Sequence, residues 1–175
     1  MTFETLLHIS KLFAIVVNKN SDNTKEIANS EFSKFLNLHI EEKYIKDFED
    51  NFAVNLDTYS SFASNKKTAL NSMKLISITE EIKENLYPQY RIAIVFYLIN
   101  LLSKVKNINN SIDFLILLSE LLGISKENYE KIFNFICDEK EEEKKSFKYF
   151  SNDEKLLIKY CYFEEYQIII IKILS

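Results

Sequence analysis

Glycine and proline are almost missing from this chain: Gly123 and Pro88 are the only ones in 175 residues. Tight hairpins and phosphate-cradling loops need glycine for left-handed or closely approached backbone, so neither is expected here. A nucleotide site within this segment is not expected, on the same ground. Tryptophan does not occur, and the two cysteines, Cys137 and Cys161, form no CxxC motif. Two isolated thiols fit a reducing cytoplasm better than a disulfide framework. A basic excess is also lacking, since 22 Lys and Arg face 26 Asp and Glu for a formal net charge of −4. Nucleic acid needs clustered cations to meet its phosphates, so it is not an expected partner. The longest apolar runs, 92–102 and 168–171, fall short of the roughly 20 residues needed to cross a bilayer. The N-terminus, "MTFETLLHISKLFAIVV", has neither the basic leader nor the small-residue cleavage site of a signal peptide.

What remains is apolar and charged in ordinary proportion, 47% and 27%, which describes a globular protein with a real core. With glycine so scarce, that core is expected to be helical, its helices joined by short polar turns. Leu6, Ile9, Phe13 and Val16 or Val17 recur at helical steps and mark a first amphipathic helix. The polar stretch 18–26 breaks it. A second helix carries Ile27, Phe32, Phe35 and Leu36, and a third carries Ile45, Phe48 and Phe52 behind Glu41 and Glu42. "NLDTYSSFASN" (55–65) reads as a loop. Leu75, Ile78, Ile82 and Leu86 define a fourth helix, and Pro88 suits the first turn of a fifth. That fifth helix, "QYRIAIVFYLINLLSKV", is apolar on nearly every side and belongs in the middle of a bundle. "IDFLILLSELL" is the sixth.

Gly123 follows it directly, where a helix must turn left-handed to stop. Ser125 then caps a seventh helix, with Ile124 placed to staple onto Tyr129. The same grammar stands 84 positions earlier in "HIEEKYIKDFEDNF" (39–52), with His39 in place of the glycine and Glu41 in place of Ser125. Ile40, Ile45, Phe48 and Phe52 take the places of Ile124, Tyr129, Ile132 and Ile136. With a slip of one residue, "LFAIV" (12–16) aligns on "VFYLI" (95–99), and Phe32 and Phe35 on Leu115 and Leu118. The expectation is an all-α bundle of about seven helices with an internal two-fold repeat over residues 1–140. Past it, 141–175 reads as a linker and the start of a β-rich module, because "KLLIKYCYF" and "QIIIIKIL" are rich in aromatic and β-branched residues.

Reactive constellations are harder to find. His8 and His39 have no acid or thiol at metal-ligand or catalytic-relay spacing. Neither cysteine has a basic neighbour in sequence to activate it. Glu139, Glu141, Glu142 and Glu143 are interleaved with lysines and read as a solvated charge run. The paired acids Glu80/Glu81 and Glu164/Glu165 are adjacent and do not face one another on a helix. No catalytic residue is assigned.

The stretches "LFAIVVNKNSDNTKEIANSEFSKFLNLHI" and "FYLINLLSKVKNINNSIDFLILLSELLGISKENYEKIFNFI" resemble the TerB-like (tellurite-resistance B-like) helical domain over roughly residues 5–137. "LLGISKENYEKI" is the most specific part. More narrowly, the segment is similar to the TerB-like region at the N-terminus of Bacteroidetes-type ABC-transporter ATP-binding proteins. The resemblance implies a non-catalytic interaction or regulatory domain, cytoplasmic and at the inner face of the membrane. Its partners are then a protein or adjacent domains of the same chain, with peripheral membrane association through a transporter or stress-response complex. Some members of the family bind a cation through the turns joining their helices, which makes a divalent-cation sensor the alternative function. This sequence departs from their Asp-Gly pattern. Its first turn offers Asn20, Asp22, Glu26 and Glu31 without the glycine, and its second offers Lys104 and Lys106 with Asp113 as the one acid. Calcium and magnesium require converging oxygens, so Asp22 and Glu26 are the metal-ligand candidates and no other cofactor is expected. A stand-alone immunity protein is a third reading.

Overall fold

The computed structural model describes residues 2–19, 25–63, 68–104 and 111–137, together with 162–163 and 166–167. Seven α-helices occupy the first four stretches: α1 (Phe3–Lys19), α2 (Lys25–His39), α3 (Glu42–Thr58), α4 (Thr68–Asn85), α5 (Pro88–Ser103), α6 (Ile112–Leu121) and α7 (Lys126–Cys137). A short 3-10 turn, Ser60–Ala63, lies between α3 and α4. Beyond Cys137 the description is confined to two two-residue strands, with Tyr162 opposite Gln167 and Phe163 opposite Tyr166. The linker and the rest of the β-rich module expected over 141–175 lie outside the described residues.

Thr2 starts the first helix. Its hydroxyl accepts the Thr5 amide at 3.2 Å, and Glu4 sits at the positive end of the dipole. Leu12 to Val17 are then buried without interruption, which makes α1 a central helix of the bundle. It packs against α2, α3, α4 and α5, with its closest association to α3. Helix α5 is buried from Ile92 to Leu102 and stands in the interior as its composition requires. An aromatic cluster ties four helices together. The Phe13 ring lies 5.3 Å from Phe32, Phe32 lies 4.5 Å from Phe52, and Phe35 meets Tyr97 edge-on at 5.4 Å.

The expected loop at 55–65 is helical as far as Thr58. Asn55 and Leu56 form part of the inner face of α3, and the burial of Leu56 holds the chain in the helix. Asn55 donates from Nδ2 to Ser10 Oγ at 2.9 Å and to Asn51 Oδ1 at 2.8 Å, so its polarity is satisfied inside the bundle.

Gly123 stops α6 as its position requires, at φ +75°. The Gly123 amide donates to the Glu120 carbonyl at 2.9 Å and the Ile124 amide to Ser119 at 2.8 Å, the paired bonds of a Schellman cap. Ser125 Oγ accepts the Asn128 amide at 3.3 Å, while Ile124 and Tyr129 are both buried behind it. The earlier junction uses a different pattern. There His39 stays within α2, and the Ile40 amide makes an ordinary helical bond to Leu36 at 2.9 Å. Glu41 precedes α3 in extended conformation without a side-chain cap.

Candidate functional site

Inward positions on α2 fall at Ala28, Glu31, Phe32, Phe35 and Leu36, a helical stripe on which one member is a carboxylate. Glu31 is 2% exposed and is the only charged residue among the buried polar groups of the described chain. Its partners come from the far end of α5, where Asn100 and Lys104 stand one turn apart on one face. Asn100 Nδ2 donates to Glu31 Oε2 at 2.7 Å, and Lys104 Nζ donates to Oε1 at 2.6 Å. Lys34, one turn along α2, approaches Oε1 at 3.4 Å from the solvent side. Both oxygens are therefore engaged, and Oε1 meets two ammonium groups.

Lys104 caps α5, where an ammonium also suits the negative end of the helix dipole. Its side chain is 33% exposed, reaching the carboxylate from the rim while its head stays hydrated. Burying a lone carboxylate costs several kcal/mol, roughly, and a hydrogen-bonded counter-charge is what makes it tolerable.

Glu31, expected among the oxygens of the first turn, is instead an inward residue of α2, which already begins at Lys25. Lys104, expected among the cations of the second turn, caps α5 and meets it there. Asp22 lies outside the described residues. Glu26 stands in the first turn of α2, but its side chain lies outside them as well. No group of three or more His, Cys, Asp or Glu gathers among the described residues. His8 is half-buried on α1, and its Nδ1–H donates to the Glu4 carbonyl at 3.0 Å, a local bond within the helix. The side chains of His39 and Cys137, together with Cys161 and the acidic run 139–143, fall outside the described residues.

A depression of about 240 Å³ opens between α2 and α3, lined by Asn29, Ser33, Glu49 and Asp50 above the rings of Phe32 and Phe52. Ser33 Oγ donates to Glu49 Oε1 across it, which occupies that carboxylate. Other polar side chains bridge separate elements. Asn18 Nδ2 donates to the Leu56 carbonyl at 2.7 Å, and Asn71 Nδ2 to the Ser61 carbonyl at 3.2 Å.

The Glu31 contact was missed as a pair, though both halves left a trace. An acid on an apolar stripe and an asparagine inside "FYLINLLSK" are each unexpected in a core, and two such residues call for one another. Compared with known proteins, the chain matches no family model, and no curated protein or solved structure matches it significantly. Among the described residues no helix is long and apolar enough to cross a membrane.

Proposed function

We propose that residues 1–140 form a non-catalytic protein-interaction or regulatory domain, built as a degenerate tandem of two three-helix units. The observation that carries this reading is the Glu31–Lys104–Asn100 contact. The one charged residue buried among the described residues is used to lock α2 onto α5, and Ser10, Asn55 and Asn71 likewise bridge separate elements. Such an interior suits a scaffold whose work is done on its outside.

Several facts support the tandem. Helices α3 and α7 begin at Glu42 and Lys126, in the 84-residue register of the echo. In each triple the third helix packs on the other two, α3 on α1 and α2 and α7 on α5 and α6. Phe48 and Ile132 are both buried at matching places. The resemblance to the TerB-like domain adds a setting: the N-terminal segment of a membrane-associated ABC-transporter ATP-binding protein, or of a stress-response complex, working in the cytoplasm at the membrane's inner face.

Reading the gene beyond codon 175 tests the setting. A Walker A loop downstream supports it, and a stop codon at that point removes its main ground. Calorimetric titration with calcium and magnesium, with Asp22→Asn as control, tests the alternative of a cation sensor; heat that Asp22→Asn abolishes would replace the scaffold reading.

A further inference from the structure

We propose that Arg91 and Lys83, side by side over the turn at Gly123, form a binding site for a phosphoryl group. The inference goes beyond the interaction reading and does not depend on it. Arg91 is the single arginine among 22 Lys and Arg. Its Nη1 donates to the Leu122 carbonyl at 2.5 Å. The edge formed by Nε and Nη2, which meets an oxyanion side-on, has no hydrogen-bond partner among the described residues. Nε is shut off from solvent as well, and a buried donor without an acceptor is costly. A lysine here could bond the Leu122 carbonyl equally well. Only arginine brings a second, planar pair of donors beside that bond.

Lys83, near the end of α4, supplies the second charge. Its Cε lies 3.3 Å, and Arg91 Nη1 2.6 Å, from the point a Cβ on Gly123 would occupy, so two cationic side chains share the room that glycine leaves. Neither is in an ion pair among the described residues. Glu84 and Glu120, the acids closest to Lys83 and Gly123 in sequence, are exposed and pair with neither cation. Helix α5 has no acid in its first turn, where Arg91 stands, so the positive end of its dipole adds to the two charges. The Leu122 carbonyl at the end of α6 offsets part of this field, through Nη1. Like charges held together repel, and a dianion entering between them relieves that repulsion. A phosphoryl group carries about −1.5 to −2 charge near pH 7 and three acceptor oxygens, enough for both donors of the arginine edge and for the ammonium. A carboxylate could meet the arginine edge but would leave the second charge unbalanced.

The single arginine and the single glycine make the site directly visible. Labelling the full 175-residue chain with nitrogen-15 arginine and glycine gives one Arg91 Nε–H signal and one Gly123 amide signal in the NMR spectrum. Inorganic phosphate, titrated with ionic strength held by sodium chloride, should shift both signals along one saturable curve, with half-saturation at about 1 mM or below. Acetate should move them several-fold less. Lys83→Gln changes an exposed side chain, and with unchanged helical circular dichroism it should weaken phosphate binding about tenfold, the loss of one charge-assisted bond. A phosphoserine peptide separates the sources of the group. Binding at least about tenfold tighter than phosphate assigns the site to a modified partner, and equal binding assigns it to the free ion; both results uphold the site. Shifts that stay linear in phosphate up to about 10 mM would overturn the proposal. So would an identical curve for Lys83→Gln, or an acetate curve as steep as that for phosphate.

Discussion

Arg91, the only arginine of the chain, lies against Gly123, its only glycine: a Cβ added to Gly123 would stand 2.6 Å from Arg91 Nη1. The same Nη1 donates to the Leu122 carbonyl, at the negative end of α6. Arg91 sits in the first turn of α5, so this bond holds the start of α5 to the end of α6. Glycine serves there twice, by its left-handed φ and by leaving room for the guanidinium. Burial draws the Arg91 pKa below its ordinary value, as desolvation of a cation must.

Gly123→Ala is therefore expected to destabilise the protein by about 1–2 kcal/mol from the left-handed backbone alone, with a further loss as Arg91 is displaced. Urea denaturation of both proteins measures it. Gly123→Asn should cost less, because asparagine tolerates that region better. Equal losses for the two would remove the backbone from the explanation.

Lys104→Met takes the nearer of two cations from Glu31 and leaves a buried carboxylate held by Asn100 and by Lys34 at 3.4 Å. The expected loss lies near the lower end of the ~3–5 kcal/mol seen when a buried pair is broken, since Lys104 is partly hydrated already. Adding Glu31→Gln should recover much of it, because the amide still pairs with Asn100 and carries no charge. Chemical denaturation of the single and double variants checks the cycle.

Tyr59, at the end of α3, packs on Phe62 with ring centres 5.9 Å apart, and burial raises its pKa above the usual phenol value. A raised folded pKa stabilises the neutral form. That contribution is complete below the unfolded phenol pKa and is lost as pH rises through the folded one. Stability should thus decline from about pH 10 upward, and less steeply in Tyr59→Phe. Thermal melts across that range, with absorbance titration of the tyrosines, give the comparison.

Ile15 in α1 and Ile94 in α5 are both fully buried. Substituting either with alanine is expected to cost about 2–5 kcal/mol, whereas Lys46→Ala on the exposed side of α3 should stay within ~0.5 kcal/mol. A small effect at Ile15 alone would return α1 to the periphery.

Much of this architecture was readable from the chain. Pro88, Gly123 and Ser125 act through backbone geometry that few other residues supply, so their positions announced the helix boundaries. The unbroken apolar run of α5 likewise left no exposed side to choose. Helix α1 was harder to place, because Thr5 and Ser10 interrupt its pattern while being buried; Ser10 is matched by Asn51 and Asn55 on a helix some 40 residues away. The same long-range matching hid the helical turn at Asn55, whose neighbourhood "NLDT" reads as loop when its partners are unseen. Glu31 and Lys104 were each visible and were each assigned to a separate turn. Pairing across 73 positions follows from how α2 crosses α5, which local spacing does not encode.

The Glu31–Lys104 bond closes the chain across 73 positions. A carboxylate on the inner face of α2 is tolerable only once α5 has arrived, so a fragment ending before Asn100 would carry Glu31 into its interior with Lys34 as its one remaining cation.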